Sequence, residues 1–348
     1  MADDPDSTAD PDSADDPDVL VAGESLIDFL PDAPGPLADV ESFARRAGGA
    51  PANVAVALAR LGDPPWFWTR VGEDPFGDHL AETLADAGVR QRFVERDADA
   101  ETALAFVSHD AGGADDPHGS NADSDRTFTF YRDGTADTRL EPGGVPDDAL
   151  DSASWVALGG VMLAAEPGRS ATLDLAERAA IRDCTVVFDP NARPELWASE
   201  AEFAQLTLRA FDRADVVKAT PSDLAAAGVE ADDPESLAEA VTQFGPHTVL
   251  LTLGESGSVA HATADAPWGP ATAAHEGYEV DAVDATGAGD AFTAGALTAF
   301  ADGASSLSAV VSFADAVAAV TTTARGAMTA LPTREEVDAF RKRAERGR

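Results

Sequence analysis

Short apolar runs at 155–158, 185–189, 216–219 and 248–252, each separated from the next by a helix-length segment, constrain this chain more than any other feature. Runs that are apolar at consecutive rather than alternate positions suit strands buried on both faces, as in a parallel sheet covered by helices. The alternation predicts an α/β fold: a doubly wound, mostly parallel sheet with helices on both faces. Runs at 19–23 and 66–71 extend the pattern toward the N-terminus. In such sheets ligands sit beyond the carboxyl ends of the strands, so the polar turns after the runs are where chemistry is expected.

The charge balance bears on the solvent in which such a sheet folds. Asp and Glu number 63 against 24 Lys and Arg, a formal net charge of -39. Self-repulsion at that charge opposes compaction. Yet 44% of the residues are apolar and the Ala-, Val- and Leu-rich segments are periodic, unlike a disordered acidic chain. Molar salt reconciles the two, because it shortens the Debye length to about 3 Å. The expectation is a halophile's protein in a salt-rich cytoplasm. The same charge argues against binding a phosphate backbone or an anionic membrane, both of which need basic patches. A single cysteine, Cys184, excludes an intramolecular disulfide and fits a reducing compartment. No apolar run approaches the ~20 residues of a membrane span, and no signal-peptide pattern opens the chain. The six histidines are scattered without metal-ligand spacing, and only Lys218 and Lys342 are lysines. Residues 1–18 hold only Asp, Pro, Ala, Ser and Thr after Met1, which predicts a disordered acidic tail.

Two glycine turns lead into helices. Gly287-Ala288-Gly289-Asp290 precedes the small and apolar segment 291–300. A turn of this kind presents unpaired N–H groups and the positive end of the helix dipole, which suits an anion. Asp290 is then either a cap or a functional carboxylate, and the stretch alone leaves both readings open. Gly48-Gly49-Ala50-Pro51-Ala52-Asn53 opens a second helix that Gly62 stops. Asn53 in its first turn can cap the helix or reach a ligand resting over the glycines. Asp28 interrupts apolar residues near the end of the first strand, where it is either a sugar-hydroxyl partner or a solvated loop residue. Segments 103–108 and 127–132 alternate and flank an Asp-, Gly- and Ser-rich stretch at 110–125. They predict a small separate antiparallel sheet with a mobile hairpin loop, with 37–45 as a further strand. Phe128, Phe130 and Tyr131 would pack that sheet on the core, while Arg132 would either join them or reach a substrate carbonyl or phosphate. Asp189-Pro190-Asn191-Ala192-Arg193, Thr220 to Asp223, and the glycine turn Thr252 to Ser258 occupy three further strand ends.

These motifs, in this order, resemble the ribokinase-like (PfkB) family of sugar kinases over residues 19 to about 340. The signatures are Gly48-Gly49-Ala50-Pro51-Ala52-Asn53-Val54-Ala55 and Asp284-Ala285-Thr286-Gly287-Ala288-Gly289-Asp290. The resemblance implies one kinase domain over 19–340, with lid strands within about 30–46 and 102–140, that transfers the γ-phosphoryl group of ATP to a sugar hydroxyl. Asp290 would be the general base, and the N–H groups of Gly287, Ala288 and Gly289 the anion hole. By the same resemblance Asp28, Gly48, Gly49, Asn53, Tyr131, Arg132 and Arg193 contact the sugar, and Asp189, Asn191 and Arg193 form a cluster near the phosphates. Asn191, Asp223, Thr252, Gly254 and Gly257 serve the nucleotide. Mg2+ would ride with ATP through phosphates and water. A monovalent cation, K+, would take backbone carbonyls around Asp284 and Thr286. The lid would close over the sugar and offer a homodimer surface. Two departures stand out: Thr220-Pro221-Ser222-Asp223 replaces the family's Asn-x-x-Glu, and Asp315 stands where many members have an Asn beside the adenine.

Within the family, Gly49-Ala50-Pro51-Ala52-Asn53, Phe130-Tyr131-Arg132-Asp133 and Asp189-Pro190-Asn191-Ala192-Arg193 look most like fructokinases. 2-Keto-3-deoxygluconate kinases come second, because an acid sugar wants a cation and Arg132 would serve; ribokinases and nucleoside kinases follow. Outside the class stand a non-catalytic sugar- or nucleotide-binding regulator and a dinucleotide oxidoreductase. The first is disfavoured by the intact Asp290. The second lacks a G-x-G-x-x-G run after the first strand.

Overall fold

The computed structural model describes residues 16–33, 35–109 and 126–347. Residues 1–15 of the predicted 1–18 tail and the predicted hairpin loop 110–125 lie outside the described residues. Asp18, at the end of that tail, is held in the fold, its O accepting from Ser154 N at 2.8 Å and Trp155 N at 2.9 Å. The strands are β1 Val19–Ala22, β2 Leu26–Pro31, β3 Phe43–Gly48, β4 Trp66–Gly72, β5 Val94–Asp97, β6 Leu104–His109 and β7 Arg126–Tyr131. They continue as β8 Trp155–Gly159, β9 Thr185–Asp189, β10 Val216–Ala219, β11 Thr248–Thr252, β12 Ser258–Ala262 and β13 Ala271–His275. Nine of these form the main sheet, in the order β13-β12-β11-β10-β9-β8-β1-β4-β5. From β11 to β5 every pairing is parallel. The β11–β12 and β12–β13 pairings are antiparallel.

Successive strand side chains point to opposite faces, so a consecutive apolar run feeds two cores. Val19 and Val21 join one layer with the helices Ala50–Leu61, Ala288–Ala301 and Leu307–Thr322. Leu20 and Ala22 join the other, with Gly168–Ile181, Glu200–Phe211 and Pro234–Thr242. Each large side chain buried here, such as Phe67 or Phe188, contributes roughly 1.5–3 kcal/mol. The predicted doubly wound sheet is therefore the observed one. The parallel strands leave Gly159, Asp189, Ala219 and Thr252 along one carboxyl rim.

The four remaining strands make a separate sheet in the order β3-β2-β6-β7. Two antiparallel pairs, β2–β3 and β6–β7, are joined by a parallel β2–β6 pairing. Its inner end is fixed by Ile27, fully buried against Val71 of β4 and Leu80 of the helix Pro75–Asp86. Asp28 therefore does not extend the first main-sheet strand, as the sequence reading had it. It sits on β2 of the small sheet, opposite Arg46 of β3, and lines a crevice between that sheet and the segments at 286 and 326–329. Of segment 37–45, residues Leu37–Asp39 form a 3-10 turn and the strand begins only at Phe43.

Candidate active site

The helix Ala288–Ala301 begins where Gly287 takes a left-handed φ of 80°, a conformation that strains any residue with a Cβ. No side chain caps this helix start. Asp290 lies in its first turn, and its Oδ2 accepts a 2.7 Å hydrogen bond from Asn53 Nδ2. Asn53 is itself fixed by its own helix, donating its backbone N–H to Gly49 O at 2.9 Å. The two glycine-turn helices are thus joined side chain to side chain. Asn53 is 6% exposed and its Oδ1 has no hydrogen-bond partner, so a buried acceptor stands ready beside Asp290. Burial pushes the Asp290 carboxyl up to about 6, against the Asn53 hydrogen bond and the charge of Lys218.

Asp28 approaches from the small sheet. A Cβ on Gly48 would lie 2.0 Å from Asp28 Oδ2, so only glycine leaves that carboxylate its place. Burial pushes Asp28 up to about 7, with Arg193 opposing the shift and Asp290 adding to it. Arg193 therefore stands within electrostatic reach of both carboxylates, and its guanidinium lies 5.6 Å from the Phe128 ring centroid. Between the small sheet and the segments at 286 and 326–329 opens a crevice of about 360 Å3, whose walls include Asp28, Arg46, His79, Phe128, Thr286 and Met328. A separate, smaller cavity of about 20 Å3 at the rim is lined by Pro51, Gly159, Asp189, Asn191 and Asp290, among others.

At the ends of β9 and β10, Asp189 accepts from Asn191 N at 3.1 Å and from Lys218 Nζ at 2.9 Å. Asn191 holds a left-handed φ of 41°. Asp223 closes a capping box with Thr220, taking its N–H at 2.9 Å and hydroxyl at 2.7 Å, and its other oxygen accepts from Ala192 N at 2.9 Å. The shorter carboxylate is thus spent on holding two turns together. Asp284 likewise shapes a loop: Thr286 donates its N–H and hydroxyl to one oxygen at 3.0 and 2.6 Å, and Gly326 N donates to the other at 2.9 Å.

Thr252, Gly254 and Gly257 form the predicted turn after β11, with φ of 63° at Gly254 and 80° at Gly257. Asp315 is buried beside this turn. It accepts from Ser258 Oγ at 2.7 Å, lies 3.0 Å from His275 Nδ1, and is pushed up to about 7 by burial.

Two sugar-contact candidates do not join the others. Arg132 is 7% exposed and pairs at 2.5 Å with the fully buried Asp137, with Val161 O at 3.3 Å as a further acceptor. Tyr131 is 62% exposed and turned against Phe106, their ring centroids 5.5 Å apart. Conversely, sequence reasoning assigned no role to Glu24 or Lys218. Glu24 is 3% exposed, accepts from Ala50 N at 3.2 Å, and is pushed up to about 7 by burial, although Arg132 opposes it. Its only signal was a polar residue directly after the first strand. Lys218 had a clearer one, as one of two lysines in the chain.

A carboxylate raised toward neutrality, at an uncapped helix start on the rim of a doubly wound sheet, is the equipment of an enzyme that activates a hydroxyl beside an anion. The chain belongs to the pfkB family of carbohydrate kinases, whose profile matches residues 16–334, and so to the phosphotransferases with an alcohol acceptor. Fructokinase-1 of Oryza sativa subsp. japonica is 36% identical over 327 residues, covering 92% of this chain and 96% of that protein. The crystal structure of fructokinase with bound ATP from Xylella fastidiosa superposes with a TM-score of 0.78 at 30% identity, covering 94% of this chain and 99% of that one. A double-mutant fructokinase from Vibrio cholerae, in a fructose, ADP and potassium ion bound form, gives the same TM-score, identity and coverage.

Proposed function

We propose that the protein is an ATP-dependent fructokinase, with Asp290 as the general base. The observation that carries this reading is the Asp290–Asn53 hydrogen bond at an uncapped helix N-terminus. Asp290 accepts the proton of the attacking sugar hydroxyl, and its raised pKa suits a base working near neutrality. The N–H groups of Gly287, Ala288 and Gly289 stabilise charge on the transferred phosphoryl oxygens. Asp28, Asn53 and the Gly48–Gly49 turn hold the sugar hydroxyls, and Asn191 and Arg193 lie toward the phosphates. Thr252, Gly254 and Gly257 bound the nucleotide. With Arg132 committed to Asp137, the crevice loses the cation on which the acid-sugar reading rested, which favours a neutral hexose.

Mg2+ would be held through ATP phosphates and water. Among the described residues no cluster of three His, Cys, Asp or Glu side chains forms a metal cage, and both Asp223 oxygens already accept from protein donors. A K+ ion would take backbone carbonyls around Asp284 and Thr286, since the Asp284 carboxylate is occupied in shaping the loop. Such an ion adds positive charge beside the anion hole. Residues 19–340 act as one kinase domain, with the small sheet as a lid that excludes water. The outer face of that lid, where Phe29, Phe43, Phe106 and Tyr131 pack ring on ring, suits a homodimer. Among the described residues no helix is long and apolar enough to cross a membrane, and the protein works in a salt-rich cytoplasm.

A coupled ADP-release assay in molar KCl over fructose, ribose, glucose, adenosine and 2-keto-3-deoxygluconate tests this reading. Fructose should give the highest kcat/KM, and preference for the sugar acid would overturn the choice. Repeated without salt, the assay should lose activity together with the far-UV circular dichroism signal. Unchanged values would contradict the halophilic reading.

A further inference from the structure

Lys218 combines a rarity in the sequence with a costly position in the fold. The other lysine, Lys342, is exposed on the C-terminal helix Arg334–Gly347, whereas Lys218 is 5% exposed at the end of β10. A buried ammonium loses several kcal/mol of hydration, a loss that only close pairing with negative charge offsets. Here Asp189 Oδ2 pairs it at 2.9 Å. Its Nζ also lies 3.1 Å from the point that a Cβ on Gly289 would occupy, so it abuts the first turn of the helix that carries Asp290. An ammonium beside a helix N-terminus sets like against like. The arrangement is favourable only with negative charge close to both, and Asp290 is in that turn.

The groups acting on Asp290 come from every side: Asp28 on β2, Asn53 on the helix Ala50–Leu61, Asp189 at the end of β9 and Arg193 beyond it, and Lys218 on β10. Two of these are carboxylates, which favour its neutral form. Burial works against the Lys218 ammonium, but Asp189, Asp223 and Asp290 together outweigh it and raise its pKa.

We propose that Lys218 is a positioning residue of the kinase reaction, a fixed point charge that keeps Asp290 ionised between Asp28 and Asp189 while the hydroxyl is activated. This rests on the reading of Asp290 as general base.

The test is the dependence of kcat on pH. In Lys218→Met the acid limb should move up from about 6 by at least roughly one unit, so that kcat at pH 5 falls about tenfold while kcat at pH 9 stays within about threefold of wild type. Fructose binding by calorimetry reports whether the variant is folded. A kcat lowered equally at every pH, with the limb unmoved, would mean a purely structural lysine and overturn the proposal. Should Lys218→Met not fold, Asp189→Asn reads the same balance from the other side. It leaves the ammonium facing Asp290 with one carboxylate fewer, and the limb should move to lower pH; an unmoved or rising limb overturns the proposal. Failure of the underlying base reading is distinguishable, because Asp290→Asn would then retain both turnover and the acid limb.

Discussion

At the residue scale the site is an assembly of carboxyl groups withdrawn from water, Glu24 and Asp315 buried and Asp28 and Asp290 half-buried. Glu24, Asp28, Asp290 and Asp315 all stand above the ordinary carboxylate range, and burial is the leading cause in each. A raised pKa in the folded state means that the folded protein binds more protons than the unfolded chain between the two values, so stability falls as pH rises through that window. For Glu24 the window runs from 4.5 to about 7. Its ionisation then costs on the order of 3 kcal/mol above the window and nothing below it. Glutamine keeps an acceptor for Ala50 N and removes the titration. The thermal midpoint of Glu24→Gln relative to wild type should therefore rise between pH 5 and pH 8. A difference that stays constant across that range would contradict the burial argument. Glycine spacing made Asp290 and the Gly48–Asn53 cradle legible in the sequence. Glu24 was not, because nothing in Gly23-Glu24-Ser25 says that the loop turns inward. Arg132 misled because its partner, Asp137, becomes a partner only through the turn between them.

At the element scale the parallel strands were legible because each buries both faces and so reads as a continuous apolar run. Strands β12 and β13 were not. Their sequences, Ser-Val-Ala-His-Ala and Ala-Thr-Ala-Ala-His, are alanine-rich and weak as β formers. Pairing to the edge of β11 supplies what local preference lacks. Strand β2 was blurred by Asp28, whose polar side chain faces the crevice rather than the core. The helix carrying Asp290 depends on a close crossing: a Cβ on Gly295 would lie 2.9 Å from Ala314 Cα and 2.9 Å from Val317 Cγ2. Two effects compete in Gly295→Ala. Alanine gains up to about 1 kcal/mol in helix propensity, while overpacking a full core costs about 1–3 kcal/mol. One of the two close neighbours is backbone, which yields least, so the balance should be destabilising. The midpoint of urea unfolding should fall, and a rise would show that the crossing has slack.

At the scale of the whole molecule the small sheet is anchored on the doubly wound one through Ile27 and Val71, so that Asp28 comes within electrostatic reach of Asp290. The charges proposed to do the chemistry gather around that point, in a chain whose formal net charge is -39. The separate small sheet was legible from its change of texture, but the parallel β2–β6 pairing that binds its two halves was not. That pairing joins segments nearly eighty residues apart and leaves no local mark. Topology brings Asp290 from the last third of the chain against Asn53 from the first, and the central claim is that this meeting makes a base. The most direct measurement compares Asp290→Asn with wild type in fructose-dependent ADP release, with fructose binding followed in parallel by calorimetry. Binding should persist within a few-fold while kcat falls by at least roughly 10²-fold. Turnover close to wild type in the folded variant would contradict the account.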